Sequence, residues 1–214
     1  MNLFVSKLRF KKALAKKSLI LFSIIAILLI FIVTNFSKQN GLKKKYYDTG
    51  QLLYETNYRN SKQDGVFKRY YRSGQLLFEA NYKDDKLEGI AKKYYENGKL
   101  EEERTYKNGR RDGLNKGYYE SGKLQSEGAI KDNKPEGIYK IYYENGKLQE
   151  EGTYRDGQLE GVTKTYYENG QLEIEANSKN GKADGLARKY DEKGQLKEEF
   201  IFKEGNPEKV IKQK

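Results

Sequence analysis

The chain has 214 residues, enough for one ordinary domain or a short array, and contains no cysteine, histidine or tryptophan. That composition excludes thiol nucleophiles, imidazole bases, disulfides, a lipoprotein-type cysteine anchor and the usual zinc ligands. Lys and Arg total 42 against 31 Asp and Glu, but residues 1–17 hold six of the positives, so 36 basic residues nearly balance the 31 acids elsewhere, a poor electrostatic footprint for nucleic acid.

Residues 1–17 form a basic segment containing Lys7, Arg9, Lys11, Lys12, Lys16 and Lys17. Residues 18–37 follow without a charge. About 20 helical residues cross a bilayer core, so this run reads as a transmembrane helix. A buried globular helix and a cleaved signal peptide are the alternatives; Val33-Thr34-Asn35-Phe36 offers no small-x-small cleavage site, which favours an uncleaved signal-anchor. The basic residues before the span predict a cytoplasmic N-terminus and extracytoplasmic residues beyond it, although Lys38 and Lys43–Lys45 follow the span closely. Residues 38–40 form a short linker, which leaves Lys43–Lys45 near anionic headgroups.

From residue 41 onward the sequence repeats every 24 residues. Tyr-Tyr pairs begin at 46, 70, 94, 118, 142 and 166, and Tyr190-Asp191 continues the series. One Gly column runs 50, 74, 98, 122, 146, 170 and 194, with Leu two residues later. A second runs 41, 65, 89, 113, 137, 161 and 185, preceded from 65 onward by Asp or Glu. Two short strands per repeat follow, one ending at the tyrosines (Ile90 to Tyr95) and one starting at the Leu (Leu76 to Tyr82). Asn-Gly at 97–98 between alternating segments predicts a two-residue hairpin, and Asn108-Gly109, Asp156-Gly157 and Asn180-Gly181 mark the other turn. A three-residue turn with a Gly bulge is the alternative at 97–98; it shifts the register by one and breaks the pairing of Lys92 with Glu103.

Parity places Leu76, Phe78, Ala80 and Tyr82 on one face and a glutamate on the other in every repeat, from Glu55 to Glu199. Lys44, Lys68, Lys92, Lys116, Lys140, Lys164 and Arg188 form a matching basic column. With Lys92 opposite Glu103 and its equivalents likewise, the expectation is a ladder of cross-strand ion pairs, each stabilising by about 0.2–1 kcal/mol. A lone hairpin is marginal in water, and repetition supplies the neighbours that bury its apolar face. The expected architecture is all-β: an elongated antiparallel β-hairpin array of seven repeats over 41–208, with fourteen strands, after one N-terminal transmembrane helix. The last unit degrades at Asn206-Pro207 as a cap, and residues 209–214 form a basic C-terminal tail.

The pattern Tyr-Tyr-x-x-Gly-x-Leu-x-x-Glu-x-x-Tyr-x-x-Gly-x-x-[Asp/Glu]-Gly, followed closely from Tyr142 to Gly161, resembles the MORN repeat variant found in many bacterial proteins. Such arrays are often labelled antitoxins of the YwqK family of toxin–antitoxin systems. The resemblance implies β-hairpin arrays with binding or membrane-associated roles and no shared catalytic residues.

Candidate chemistry competes with simpler structural roles. The glutamate column resembles paired carboxylates for hydrolysis, but a lysine or arginine stands opposite each glutamate. The tyrosine pairs are able to stack on sugars or bases, and equally to pack the sheet. No turn has the form of a phosphate-binding loop. The readings are therefore no enzyme, no cofactor, no metal and no nucleic acid. A partner-binding surface is expected where repeats differ. The column 67, 91, 115, 139, 163, 187 and the column 69, 93, 117, 141, 165, 189 vary most, which selects Phe67, Arg69, Lys93, Tyr139 and Ile141 as candidate contact residues for an unidentified protein partner. The expected function is a membrane-anchored interaction platform at the cell envelope. A toxin-neutralising antitoxin is the alternative, and an enzyme acting on envelope glycan a weaker one.

Overall fold

A computed structural model describes residues 39–213. The basic segment, the apolar run 18–37 and Lys38 lie outside the described residues, so the expected transmembrane helix does too. No helix of the described residues is long and apolar enough to cross a membrane.

The described chain is one antiparallel sheet in which every strand pairs with its neighbours in sequence. The strands are β1 (Gly41–Tyr46), β2 (Leu52–Arg59), β3 (Lys62–Tyr70), β4 (Leu76–Lys83), β5 (Lys86–Tyr94), β6 (Leu100–Lys107), β7 (Arg110–Tyr118) and β8 (Leu124–Lys131). They continue with β9 (Lys134–Tyr142), β10 (Leu148–Arg155), β11 (Gln158–Tyr166), β12 (Leu172–Lys179), β13 (Lys182–Tyr190), β14 (Leu196–Lys203) and β15 (Asn206–Gln213). Fifteen strands at about 4.8 Å spacing make a ribbon roughly 70 Å across.

Two boundaries differ from expectation. The fourteen-strand array gains β15, and the tail expected at 209–214 continues that strand as far as Gln213. Pro207 is tolerated there because, among the described residues, β15 pairs with β14 alone. At the other end Gln39 and Asn40, expected in a linker, are tied to the first repeat: the Gln39 carbonyl accepts from Ser61 N–H at 2.8 Å, and Asn40 Oδ1 accepts from Asn60 N–H at 2.7 Å.

The two turns of each repeat are of different kinds. At 108–109 both residues have positive φ, 51° and 80°, which matches the right-handed twist of the flanking strands. The turn at 97–98 is not the expected two-residue hairpin. Tyr95 N–H donates to Lys99 C=O and Gly98 N–H to Tyr95 C=O, giving three loop residues with Gly98 at φ 83°. Tyr94 accordingly pairs with Leu100. One residue further the register slips: Lys93 pairs with Glu102 and Lys92 with Glu103, because Glu101 is an extra residue on β6. The second irregularity cancels the first, and the Lys–Glu register survives a turn that alone would have broken it. The second Gly column makes another bulge. Between the pairs Asn81–Glu88 and Glu79–Lys92, β4 contributes one residue and β5 three, led by Gly89 at φ 81°.

Side chains sort into two faces. One carries the Lys and Glu columns and is called the ladder face. The other, the packed face, holds the few buried residues, Thr56, Ala80, Ala91, Gly128, Gly152 and Ala187. A row crosses it in the order Thr56, Phe67, Ala80, Ala91, Arg104, Asn115, Gly128, Tyr139, Gly152. Large residues stand between small ones: Phe67 between Thr56 and Ala80, Tyr139 between Gly128 and Gly152. A single layer thus fills its own surface by neighbours leaning over one another. The Phe67 ring stacks on Tyr54 at 5.8 Å and meets Phe78 and Tyr82 edge-on.

A Cβ built on Gly128 lies 2.3 Å from the Tyr139 ring. Gly128→Ala is expected to destabilise the array by about 1–3 kcal/mol through overpacking. In a Tyr139→Ala background the same change costs far less, so the double-mutant cycle in urea denaturation shows strong coupling. Additive effects would contradict this packing.

Candidate functional site

The repeat's signature residues tie one unit to the next. The second tyrosine of each pair donates its hydroxyl to the carbonyl of the first tyrosine one repeat on: Tyr47 to Tyr70 at 2.8 Å, Tyr71 to Tyr94 at 2.7 Å, Tyr95 to Tyr118 at 2.8 Å, Tyr119 to Tyr142 at 2.6 Å. Tyr143 and Tyr167 continue the series. Where the column ends in Asp191, the carboxylate instead accepts from Lys193 and Gln195 N–H in its own turn. The acid before the second Gly caps the next repeat's tight turn. Glu88 accepts from Asn108 N–H at 2.8 Å, Glu136 from Asp156 at 2.9 Å and Glu160 from Asn180 at 3.0 Å.

The glutamate column serves two partners. Ion pairs form at Lys44–Glu55 (3.6 Å), Lys92–Glu103 (3.9 Å), Lys164–Glu175 (3.6 Å) and Arg188–Glu199 (2.7 Å). The first tyrosine of the pair also donates to this column: Tyr70 to Glu55, Tyr94 to Glu79, Tyr118 to Glu103, Tyr142 to Glu127 and Tyr166 to Glu151. Burial first, and the adjacent carboxylate second, push the phenols of Tyr70, Tyr142 and Tyr166 up to about 12 and raise that of Tyr94 as well. Lysine or arginine on one side and tyrosine on the other tie these glutamates into the frame of the array.

All five residues selected from the varying columns lie on the packed face. Phe67, Arg69 and Lys93 fall near one another, since Phe78 pairs with Arg69 on one side and Lys93 on the other. Tyr139 and Ile141 sit four strands further along on β9. Arg69 is exposed, and Lys93 is half-buried in a 2.6 Å ion pair with Glu101. Phe67 and Tyr139 fill the size-matched row, so much of the variation in their column answers variation in the neighbouring strands.

The ladder face carries a feature that the sequence reading did not single out. The residue after each second Gly lies two before the lysine, hence on the same face, and is aliphatic throughout: Leu42, Val66, Ile90, Leu114, Ile138, Val162 and Leu186. The first six are 42–61 % exposed. They form a stripe across the ribbon, with small or polar residues between them: Val66 faces Asn81, Ile90 Thr105, Leu114 Ala129 and Ile138 Thr153. Leu42, Val66 and Ile90, bordered by Glu55, Lys68 and Lys92, line an open groove of about 690 Å³. Ile138 and Val162 with Glu151 and Lys164 line a smaller one of about 230 Å³. The 24-residue period held this signal, and parity with the lysines would have exposed it.

The fold defines a class of protein, a single-layer β-hairpin repeat array whose units are riveted in series. The family model described as "MORN repeat variant" matches residues 39–60, 63–84, 87–108, 111–132, 135–156, 159–180 and 183–204, and the chain belongs to that family. No curated protein matches the chain.

The raised phenols imply a pH dependence. Tyrosine ordinarily ionises near 10, so the unfolded chain loses these protons first as the pH rises. The stability they contribute is complete below pH 10 and is lost between about pH 10 and 12. Circular dichroism should track phenolate absorbance over that interval, and the triple variant Tyr70→Phe, Tyr142→Phe, Tyr166→Phe should flatten the decline.

Proposed function

We propose that the protein is a non-enzymatic, membrane-anchored interaction platform at the cell envelope, whose ladder face binds an elongated protein partner. The observation that carries this reading is the exposed aliphatic stripe. The signature tyrosines, glutamates and acids are occupied in holding the array together, whereas the stripe is half-exposed and covered by no second layer of the described residues. Its apolar groups recur every second strand, about 10 Å apart. Charges of both signs border it, which suits a protein surface better than a polyanion. The residues on the packed face, Arg69 and Lys93 foremost, form a second, more polar surface for the same kind of partner.

The reading is tested with a photo-crosslinking residue at Ile90 or Ile138 in the full-length protein in its native membrane. A discrete protein adduct is expected at both positions. Val66→Asp with Leu114→Asp should reduce its yield about tenfold or more, as expected when two large apolar contacts are lost. An adduct indifferent to those substitutions would remove the stripe from the account.

The apolar run 18–37 supports the anchor, and the basic residues before it support a cytoplasmic N-terminus with the repeats outside. Protease added outside a sealed membrane is expected to digest the repeats; their protection until the membrane is opened would reverse the orientation. The resemblance to YwqK-type antitoxins supports a second reading, in which the partner is a toxin and the contact blocks it.

A further inference from the structure

In the interior of the sheet every lysine of the ladder stands between two glutamates in register. Lys68 pairs with Glu55 and Glu79, Lys92 with Glu79 and Glu103, Lys116 with Glu103 and Glu127, and Lys140 with Glu127 and Glu151. β1 departs from this rule on one side. Among the described residues it pairs with β2 alone, so Lys44 has Glu55 opposite and no second glutamate in register. All six residues of β1 are exposed. An edge strand presents alternate N–H and C=O groups outward, ready for another strand.

The charge on this edge is concentrated. Lys43 and Lys45 flank Lys44, and no other strand carries three consecutive lysines. Elsewhere the Lys43 column reads Phe67, Ala91, Asn115, Tyr139, Thr163 and Ala187, so Lys43 is peculiar to the edge. The sheet also shows what a matching strand looks like. In β6, Glu102 and Glu103 stand opposite Lys93 and Lys92 in register; Lys92 pairs with Glu103, and Lys93 reaches the adjacent Glu101 on the same strand.

A second copy of the chain does not provide such a strand. The outer edges among the described residues are β1, with three consecutive lysines, and β15, whose sequence holds the single acid Glu208, so neither offers a run of carboxylates. Nor does the chain place an acid there in phase: one repeat before Glu55 stands Phe31, within the uncharged run 18–37.

We propose that β1 is a docking edge for an extended acidic segment of another protein. The segment adds antiparallel to β1 as a further strand, with two or three consecutive carboxylates opposite Lys43–Lys45. Backbone hydrogen bonds hold it, and the charge run sets its register and excludes both basic strands and copies of the array. An anionic membrane surface would use the same charges but leave the backbone edge unpaired.

The test uses the full-length chain in neutral detergent micelles and a blocked synthetic peptide with the β6 sequence, residues 100–107. The outward-facing amides of β1, those not bonded to β2, should exchange freely in the isolated protein and at least about tenfold more slowly with saturating peptide. A peptide with its three glutamates replaced by lysine should bind about tenfold more weakly or worse. The variant Lys43→Glu, Lys44→Glu, Lys45→Glu should reverse that preference, a readout that general destabilisation does not produce. Outward-facing β1 amides already protected without peptide, equal binding of both peptides, or lysine-dependent binding to anionic-lipid vesicles with no peptide-induced protection would each overturn the proposal.

Discussion

The face on which a side chain emerges is fixed by counting along the strand in twos, and everything this sheet does depends on that count staying in step between neighbours. Each repeat breaks the count at the three-residue turn and restores it at the next residue pair, where an extra residue such as Glu101 is spent. Register in a sheet is otherwise weakly specified when neither face is thickly covered. Here the lysine–glutamate columns, the tyrosine ties and the size-matched row all require the same alignment. A slip of one residue would bring the glutamates onto the packed face and lose all three together.

A layer one sheet thick has almost no interior. The residues that are buried are small, and they are covered by a larger side chain on an adjacent strand and not by a second layer. Ordinary hydrophobic burial therefore contributes less per residue than in a two-layer domain, and the deficit is met locally, by hydroxyl-to-carbonyl ties between successive tyrosines and by carboxylates that cap the next unit's turn. Each tie reaches one unit and no further, so cohesion is a nearest-neighbour property.

The repeat's period, its two strands and the pairing of Lys92 with Glu103 were all legible in the sequence, because each rests on spacing. The turn at 97–98 was not, since Asn-Gly suits a two-residue hairpin and also a three-residue loop with glycine at its end. The compensating residue carries no mark of its own: the position of Glu101 is filled elsewhere by Leu77, Gln125 and Lys197. β15 escaped because its Gly column has become Lys209 and Pro207 suggested a stop. On the surface, the varying columns drew attention to Phe67 and Tyr139, whose sizes answer Thr56, Ala80, Gly128 and Gly152 on adjacent strands. The aliphatic stripe was hidden by its regularity, as it looks like core to anyone who has not placed it beside the lysines.

That size matching makes the units distinguishable although their backbones are alike. Any one could be cut out in a block of 24 residues and the hydroxyl ties would rejoin, yet a transposed unit would set ring against ring or leave a hollow between two glycines. Serial order is thus written into the sheet at the level of volume, and a chain assembled from the same parts in another sequence would share its outline without sharing its fit.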